Sequence, residues 1–327
     1  MDSAQGQRAA IAKVPAARRH EALDDSCAAV LRTTIKEMIE QARIERHVWT
    51  LAGEIGERNV FHPRALGSAR DYIVREWRAQ GLEPRLQSYL ARGVESSNVE
   101  VVLDGESSGS QSIVVGAHYD SVLGSPGADD NASAVAALME LSRVLVGKAR
   151  IRAVCLVAFV NEEPPFFFWG KMGSQVYARA ARQRAEDIRL MLSLEMLGYY
   201  RDEPGTQRYP PLFRWFYPNR GDFIGFVSNL RSRRSLARVY RAFRNHCNFP
   251  AQRAAVPSWI PGVGWSDHLS FWQQGYPALM VTDTAFYRNP YYHTAEDTPE
   301  KLDYPRLTRV ANGLADALLE LANADSL

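Results

Sequence analysis

Six short β-rich runs, separated by helical patterns or polar loops, constrain this chain more than any other feature. SNVEVVL near residue 97, SIVVGA near 112, VCLVAFV near 154, IRLMLSLEM near 188, DFIGFV near 222 and YPALMVTD near 276 are rich in β-branched and other apolar residues. Between them, NASAVAALMELSRVLV, GSQVYARAARQRAE and SLARVYRAFRNH place apolar side chains at helical spacing. Residues 28–52 and 63–81 show the same spacing ahead of the first run, and a last helix is expected over 305–323. Strands alternating with helices imply an α/β fold, a three-layer αβα sandwich with a central mixed, mostly parallel sheet. At 327 residues, 46% of them apolar, the chain can bury one large core. We expect an arm over residues 1–27, a single domain over 28–327, and a loop insertion over 201–222, rich in Pro, Arg and aromatics, that overhangs the site.

Charge and cysteine usage exclude several classes. A formal net charge of only +2 supplies no field for a polyanion, so no nucleic acid partner is expected. No apolar run approaches the roughly 18 to 20 residues that cross a bilayer, and the first 27 residues lack the apolar centre of a secretory signal. No membrane association is expected. Cys27, Cys155 and Cys247 are odd in number and show no CxxC spacing, which argues against a disulfide framework and a thiolate metal site. The expected location is the cytoplasm.

The residues at the ends of the strand runs carry the chemistry. His118 and Asp120 follow SIVVGA, Glu162 and Glu163 follow VCLVAFV, and Glu195 ends IRLMLSLE. Asp129 and Asp130 precede a helix expected to start near Asn131, and His293 lies in the loop PYYHTAEDTP. In an open parallel sheet, ligands gather beyond the carboxyl ends of the strands, where these positions converge. Apolar neighbours make unneutralised acids there costly, and a carboxylate such as Glu195 inside a buried strand needs a cation or a proton. Two histidines and three carboxylates could hold two zinc ions if one carboxylate bridges. Four positive charges would then meet three carboxylates and one hydroxide, leaving the site neutral. A leftover acid is what a hydrolytic cycle needs to take a proton from water and pass it to a leaving amine. Alone, each residue has a plainer reading: His118 as a hydrogen-bonded strand end, Asp129 or Asp130 as a helix N-cap, PPFFFW over 164–169 as core. Their company favours the metal.

GAHYDS, PGADDNAS, NEE, LSLEM and YYHTAEDTP, in this order, resemble the zinc aminopeptidases of metallopeptidase family twenty-eight. The likeness covers about residues 45–320, and GKMGS and SDHLSFWQQGYPALM follow the family as well. It implies a zinc-exopeptidase-like fold and a zinc-dependent peptidase, an aminopeptidase with two zinc ions per chain that hydrolyses N-terminal residues from peptides. It assigns one ion to His118 and Glu195, the second to Glu163 and His293, and the bridge to Asp130. Glu162 becomes the general base and Asp120 the acid that orients the His118 ring. Many members carry Asp where this chain has Glu195, and Ser133-Ala134 stands for the usual Ser-Gly. The glutaminyl cyclases, single-zinc acyltransferases, share the fold and much of the ligand set and form the alternative. The substrate is expected to be a peptide or a small amino-acid derivative, with Met196 and Tyr292, each beside a ligand, walling its pocket.

Other features carry less. Ser266, Asp267 and His268 lack a G-x-S-x-G elbow and are read as supporting the site. Gly262 and Gly264 form no dinucleotide fingerprint. Arg231, Arg233 and Arg234 read as a solvated face, and His20, His47, His62 and His246 show no partners.

Overall fold

The run SIVVGAH forms β3 (Gln111–His118), and its neighbours on both sides explain why it is apolar throughout. A computed structural model describes residues 38–106, 111–167, 170–211, 213–325 and 327. β3 pairs in parallel with β4 (Ala153–Phe159) and β5 (Asp187–Glu195), and β5 pairs in parallel with β8 (Ala278–Thr282). With β1 (Arg85–Ala91), β2 (Val94–Leu103), β6 (Ile224–Ser228) and β7 (Ala251–Ala255) outside them, these four strands form the centre of an eight-stranded sheet of order β1-β2-β4-β3-β5-β8-β6-β7. Helices cover both faces, so the centre must be apolar on both sides. The alternation is visible along β3: Ile113, Val115 and Ala117 enter the larger core, while Val114 enters the smaller one.

The larger core lies under α1 (Gln41–Val48), α2 (Pro63–Ala79), α3 (Ala134–Leu145), α5 (Arg233–His246) and α7 (Tyr304–Asn323). The smaller lies under α4 (Gly173–Gln183) and α6 (His268–Gln273). Start signals are readable at two of these helices. Pro63 opens α2, and the Asp303 carboxylate caps α7 by accepting the Arg306 N–H at 3.0 Å, with Pro305 in the first turn. The result is the three-layer αβα sandwich with a mixed sheet that the alternation implies.

Several expectations shift. The helix expected over 28–52 begins at Gln41 and continues as a wider, π-type turn over Trp49–Ile55; residues 28–37 lie outside the described ones, as does the arm over 1–27. β1 (Arg85–Ala91) pairs antiparallel with β2 (Val94–Leu103), and β7 (Ala251–Ala255) lies at the opposite edge beside β6 (Ile224–Ser228). Neither edge strand shows an apolar run, because one side of each is unpaired and much of it is wet. β6 runs antiparallel to β8, so the last two strands point against the central four. Among the described residues of 201–222 there is one isolated bridge, Arg201 to Gly221, and a single 3₁₀ turn over Phe213–Trp215. No helix among the described residues is long and apolar enough to cross a membrane.

Candidate metal centre

The carboxyl ends of β3, β4, β5 and β8 form one rim. His118 is the last residue of β3 and Glu195 the last of β5. Glu162 and Glu163 follow β4 by three and four residues, and His293 sits in the turn that follows β8. Asp130 comes from the turn before α3. Backbone strain concentrates here: Asn161 (φ 59°), Met196 (φ 50°) and His293 itself (φ 59°) are left-handed without being glycine, a conformation worth roughly 1–2 kcal/mol each.

A set of side-chain to backbone bonds holds the segments around them. The Asp120 carboxylate accepts the N–H groups of Glu162 (3.1 Å) and Glu163 (3.2 Å). The Asp297 carboxylate accepts those of Asp129 (2.9 Å) and Asp130 (3.1 Å). Asn131, Ser133 and Asp129 accept the N–H groups of Met196, Leu197 and Gly198, fastening the turn before α3 to the end of β5. This explains the sequence ADDNAS beyond any ligand role. Gly127 ahead of it has φ 62°, and a Cβ there would lie 2.3 Å from the Asp130 carbonyl oxygen, so only glycine fits.

The donor atoms fall into two sets that share Asp130. Its Oδ1 is 3.3 Å from His118 Nε2, which is 3.6 Å from Glu195 Oε2. Its Oδ2 is 3.2 Å from His293 Nε2, which is 3.3 Å from Glu163 Oε2. Bonds of about 2.1 Å in a tetrahedral zinc site separate ligand atoms by roughly 3.4 Å, so both sets have the spacing zinc requires. Each forms a group of metal-competent donors, and His118, Glu162 and Glu163 form a third. His118 Nε2 and Glu163 Oε1 are buried without a hydrogen-bond partner among the described residues. Buried orphans of this kind call for a partner, and a divalent cation satisfies both. The residues fit zinc.

Electrostatics point the same way. Burial, reinforced by the Asp130 charge, pushes Glu163 up to about 8 despite His293 beside it. Burial likewise raises Glu195 and drives Glu162 well above its ordinary range, with Glu163 and Glu195 adding to the latter. Burial works against ionising His293, yet Asp130 and Glu163 lift it to about 10. Asp130 alone stays well below the usual carboxylate range: burial opposes its ionisation, but His118 and His293 outweigh it. The cluster is short of positive charge, which is what a divalent cation supplies.

All seven residues assigned to ligation and catalysis from the sequence converge on this rim, with several differences in detail. Asp130 and Asn131 have non-helical angles and α3 starts at Ala134, so Asp130 does not face a helix N-terminus near Asn131. Asp129 is no N-cap either; its carboxylate takes Gly198 N–H and Asn289 Nδ2. Asp120 touches the His118 ring through its backbone carbonyl, 3.2 Å from Nδ1, with the carboxylate at 3.6 Å. Met196 is fully buried and lines no described cavity, whereas Tyr292 stacks on His293 at 3.8 Å between ring centres. Asp297 and Asn289 hold the site and were not assigned such roles, since a sequence does not show which partner a polar side chain will meet. Ser266 donates to Glu195 Oε2 at 2.7 Å, which gives the supporting role expected of its stretch a definite form. Asp267 and His268 are fully buried beside it. His47, His62 and His246 do have partners, in Glu140, Glu57 and Glu320, each distant in sequence or in a turn; His20 lies outside the described residues. Of PPFFFW, Phe166 is core, and residues 168 and 169 are outside the described ones.

Beside Glu195 and Tyr292 opens an apolar cavity of about 130 Å³. One wall is a partly covered face of β6 and β7, with Gly225, Val227, Gln252 and Ala254; Phe213 of the 201–222 loop and Phe286 close the others. Residues of the 201–222 loop thus share this cavity with Glu195.

The family model for Peptidase family M28 matches residues 98–318. The uncharacterized protein YfbL of Escherichia coli (strain K12) is 38% identical over 272 residues, 79% of this chain and 83% of YfbL. Leucine aminopeptidase 1 of Ajellomyces dermatitidis is 28% identical over 229 residues, 66% of this chain but only 54% of that protein, so the chain spans about half of it. Among solved structures, the zinc aminopeptidase BSAP from Bacillus subtilis matches with a TM-score of 0.69 at 15% identity, over 89% of this chain and 97% of that one. A Fimbriiglobus ruber glutaminyl cyclase matches with a TM-score of 0.65 at 18% identity, over 86% and 96%. At such identities the structural matches speak for the fold, while the family match and the YfbL relationship speak for descent: this chain belongs to Peptidase family M28.

Proposed function

We propose that the protein is a two-zinc aminopeptidase that removes N-terminal residues from peptides. The observation that carries this reading is the division of Asp130, whose two oxygens face two separate donor pairs at 3.2 and 3.3 Å. His118, Glu195 and Asp130 Oδ1 would hold one ion, and His293, Glu163 and Asp130 Oδ2 the other. Zinc held there supplies Lewis acidity, which polarises the scissile carbonyl and makes water acidic near neutral pH.

The remaining steps belong to the chain's own residues. Glu162 is left without a place in either pair, and its Oε2 lies 3.9 Å from His118 Nε2. That leaves it free to serve as general base: it accepts a proton from the attacking water and hands it to the departing amine nitrogen as the C–N bond breaks. Asp120 fixes the backbone of both glutamates, so the base and its neighbour keep their separation. The apolar cavity beside Tyr292 receives the side chain of the N-terminal residue. Its 130 Å³ is close to the roughly 150 Å³ that accommodates benzene, so leucine- or phenylalanine-sized groups fit. A peptide fits as the partner, and the small net charge disfavours nucleic acid. Cys155 and Cys247 are free thiols, which suits a reducing compartment such as the cytoplasm.

Elemental analysis of protein purified without added zinc, combined with assays on leucyl and glutaminyl substrates, tests the reading. About two zinc ions per chain and chelator-sensitive release of leucine are expected. One zinc per chain with cyclisation of N-terminal glutamine would instead establish the cyclase alternative.

A further inference from the structure

We propose that Asp297 is a positioning residue that sets the distance between the two halves of the metal site, by clamping the turn that carries Asp130 onto the turn that carries His293. The inference rests on the two-metal reading above.

Asp297 is only 1% exposed. Its two carboxylate oxygens take the consecutive N–H groups of Asp129 and Asp130, and its backbone carbonyl takes the N–H of Ala128 at 3.0 Å. One residue therefore satisfies three successive donors on the strand-to-helix turn. On its own side, Asp297 is locked to His293 by a short hydrogen-bonded turn. Thr294 N–H and Oγ1 both donate to the Tyr291 carbonyl, at 3.0 and 2.7 Å, and Asp297 N–H donates to the Thr294 carbonyl at 3.2 Å. The 3.2 Å separation of Asp130 Oδ2 and His293 Nε2 is spanned by this linkage. Asp120 does the same across the rim, joining the end of β3, which carries His118, to the Glu162–Glu163 backbone. With the Asn131, Ser133 and Asp129 bonds to β5, every donor-bearing segment is fastened to another. Asn289 Nδ2 ties the start of the His293 turn to the Asp129 carboxylate at 2.8 Å, and Asp297 is the link that reaches the Asp130 backbone itself.

Two adjacent N–H groups need two acceptors, and a carboxylate offers them in one plane. Asp297→Asn keeps the size but turns one acceptor into a donor that faces an N–H. Bonds behind a metal ligand typically govern affinity by about 10–100-fold. The test is zinc affinity, by competition with a chromophoric chelator, alongside thermal melting of zinc-free and zinc-loaded protein. For Asp297→Asn we expect zinc affinity to fall about 10–100-fold, with the zinc-free melting temperature moving much less than the zinc-loaded one. Glu140→Gln, a buried ion-paired acid on α3 remote from the rim, is the comparison: it should lower both melting temperatures alike and leave zinc affinity unchanged.

Wild-type zinc affinity in Asp297→Asn, or an equal loss of stability with and without zinc, would overturn the proposal. If Asp297→Asn does not fold, Thr294→Ala loosens the same turn from the other side, and it must weaken zinc binding for the proposal to stand. Absence of zinc binding in the wild type itself would overturn the two-metal reading first, and this inference with it.

Discussion

Ser266 donates a 2.7 Å hydrogen bond to Glu195 Oε2, and both side chains are buried. The same Oγ lies 2.7 Å from Ser193 Oγ on β5, so Ser266 pins the end of that strand twice. Hydrogen bonds to charged groups contribute about 1.5–3 kcal/mol. Ser266→Ala should therefore lower kcat/KM about 10–100-fold and weaken zinc binding, read by steady-state kinetics across a zinc titration. Unchanged kinetics would mean that Glu195 needs no such support.

Glu162→Gln should lower kcat roughly a hundredfold or more while the protein still binds zinc, because the substitution removes the proton acceptor and no donor of either pair. Stoichiometry and kcat measured on one sample separate the two effects. Full turnover would remove Glu162 from the chemistry.

The cavity makes a selectivity prediction. Ala254 lines its β7 wall, and a phenyl group there would fill most of the 130 Å³. Ala254→Phe should raise KM for leucyl and phenylalanyl substrates at least tenfold more than for alanyl ones. A uniform change across substrates would place the side-chain pocket elsewhere.

Acid stability depends on a different cluster. Burial of Glu140 opposes its ionisation, but His47, Arg143 and Arg43 more than compensate and hold it at about 2, against an ordinary value of 4.5. A depressed carboxylate contributes stability above its unfolded value and loses it as pH falls through the folded one. Up to about 3 kcal/mol should thus disappear between pH 4.5 and 2. Urea midpoints of zinc-free wild type and Glu140→Gln should converge over that window; a gap that persists at pH 2 would show that the acid's charge is not what stabilises.

How much of this was legible depends on what each residue meets. The central strands announce themselves because they are covered on both faces, so SIVVGA and VCLVAFV are apolar almost without interruption. β1 and β7 are edge strands with wet faces and carry no such signal. α6 is six residues long, too short for a period to show. Within the site, the donors could be read because histidines and acids at the ends of greasy runs are anomalous. Asp297 and Ser266 could not be given their roles in that way: an acid in HTAEDT and a serine before Asp267 look like ordinary loop residues until their partners, 167 and 71 positions away, are brought to them by the fold. His47 and Glu140 sit on separate helices with unremarkable patterns, and only packing brings them within 3.4 Å.

β6 and β7 run against the four central strands and give the apolar cavity a wall of pleated ribbon, while the donors sit at the tips of the other strands and in the loops beyond them. On the proposed reading, which residue is trimmed and how the bond is cut would be written largely on different stretches of chain, with Glu195 touching both. A lineage could retune its diet by exchanging a methyl group at Gly225 or Ala254, leaving the cutting machinery as it was.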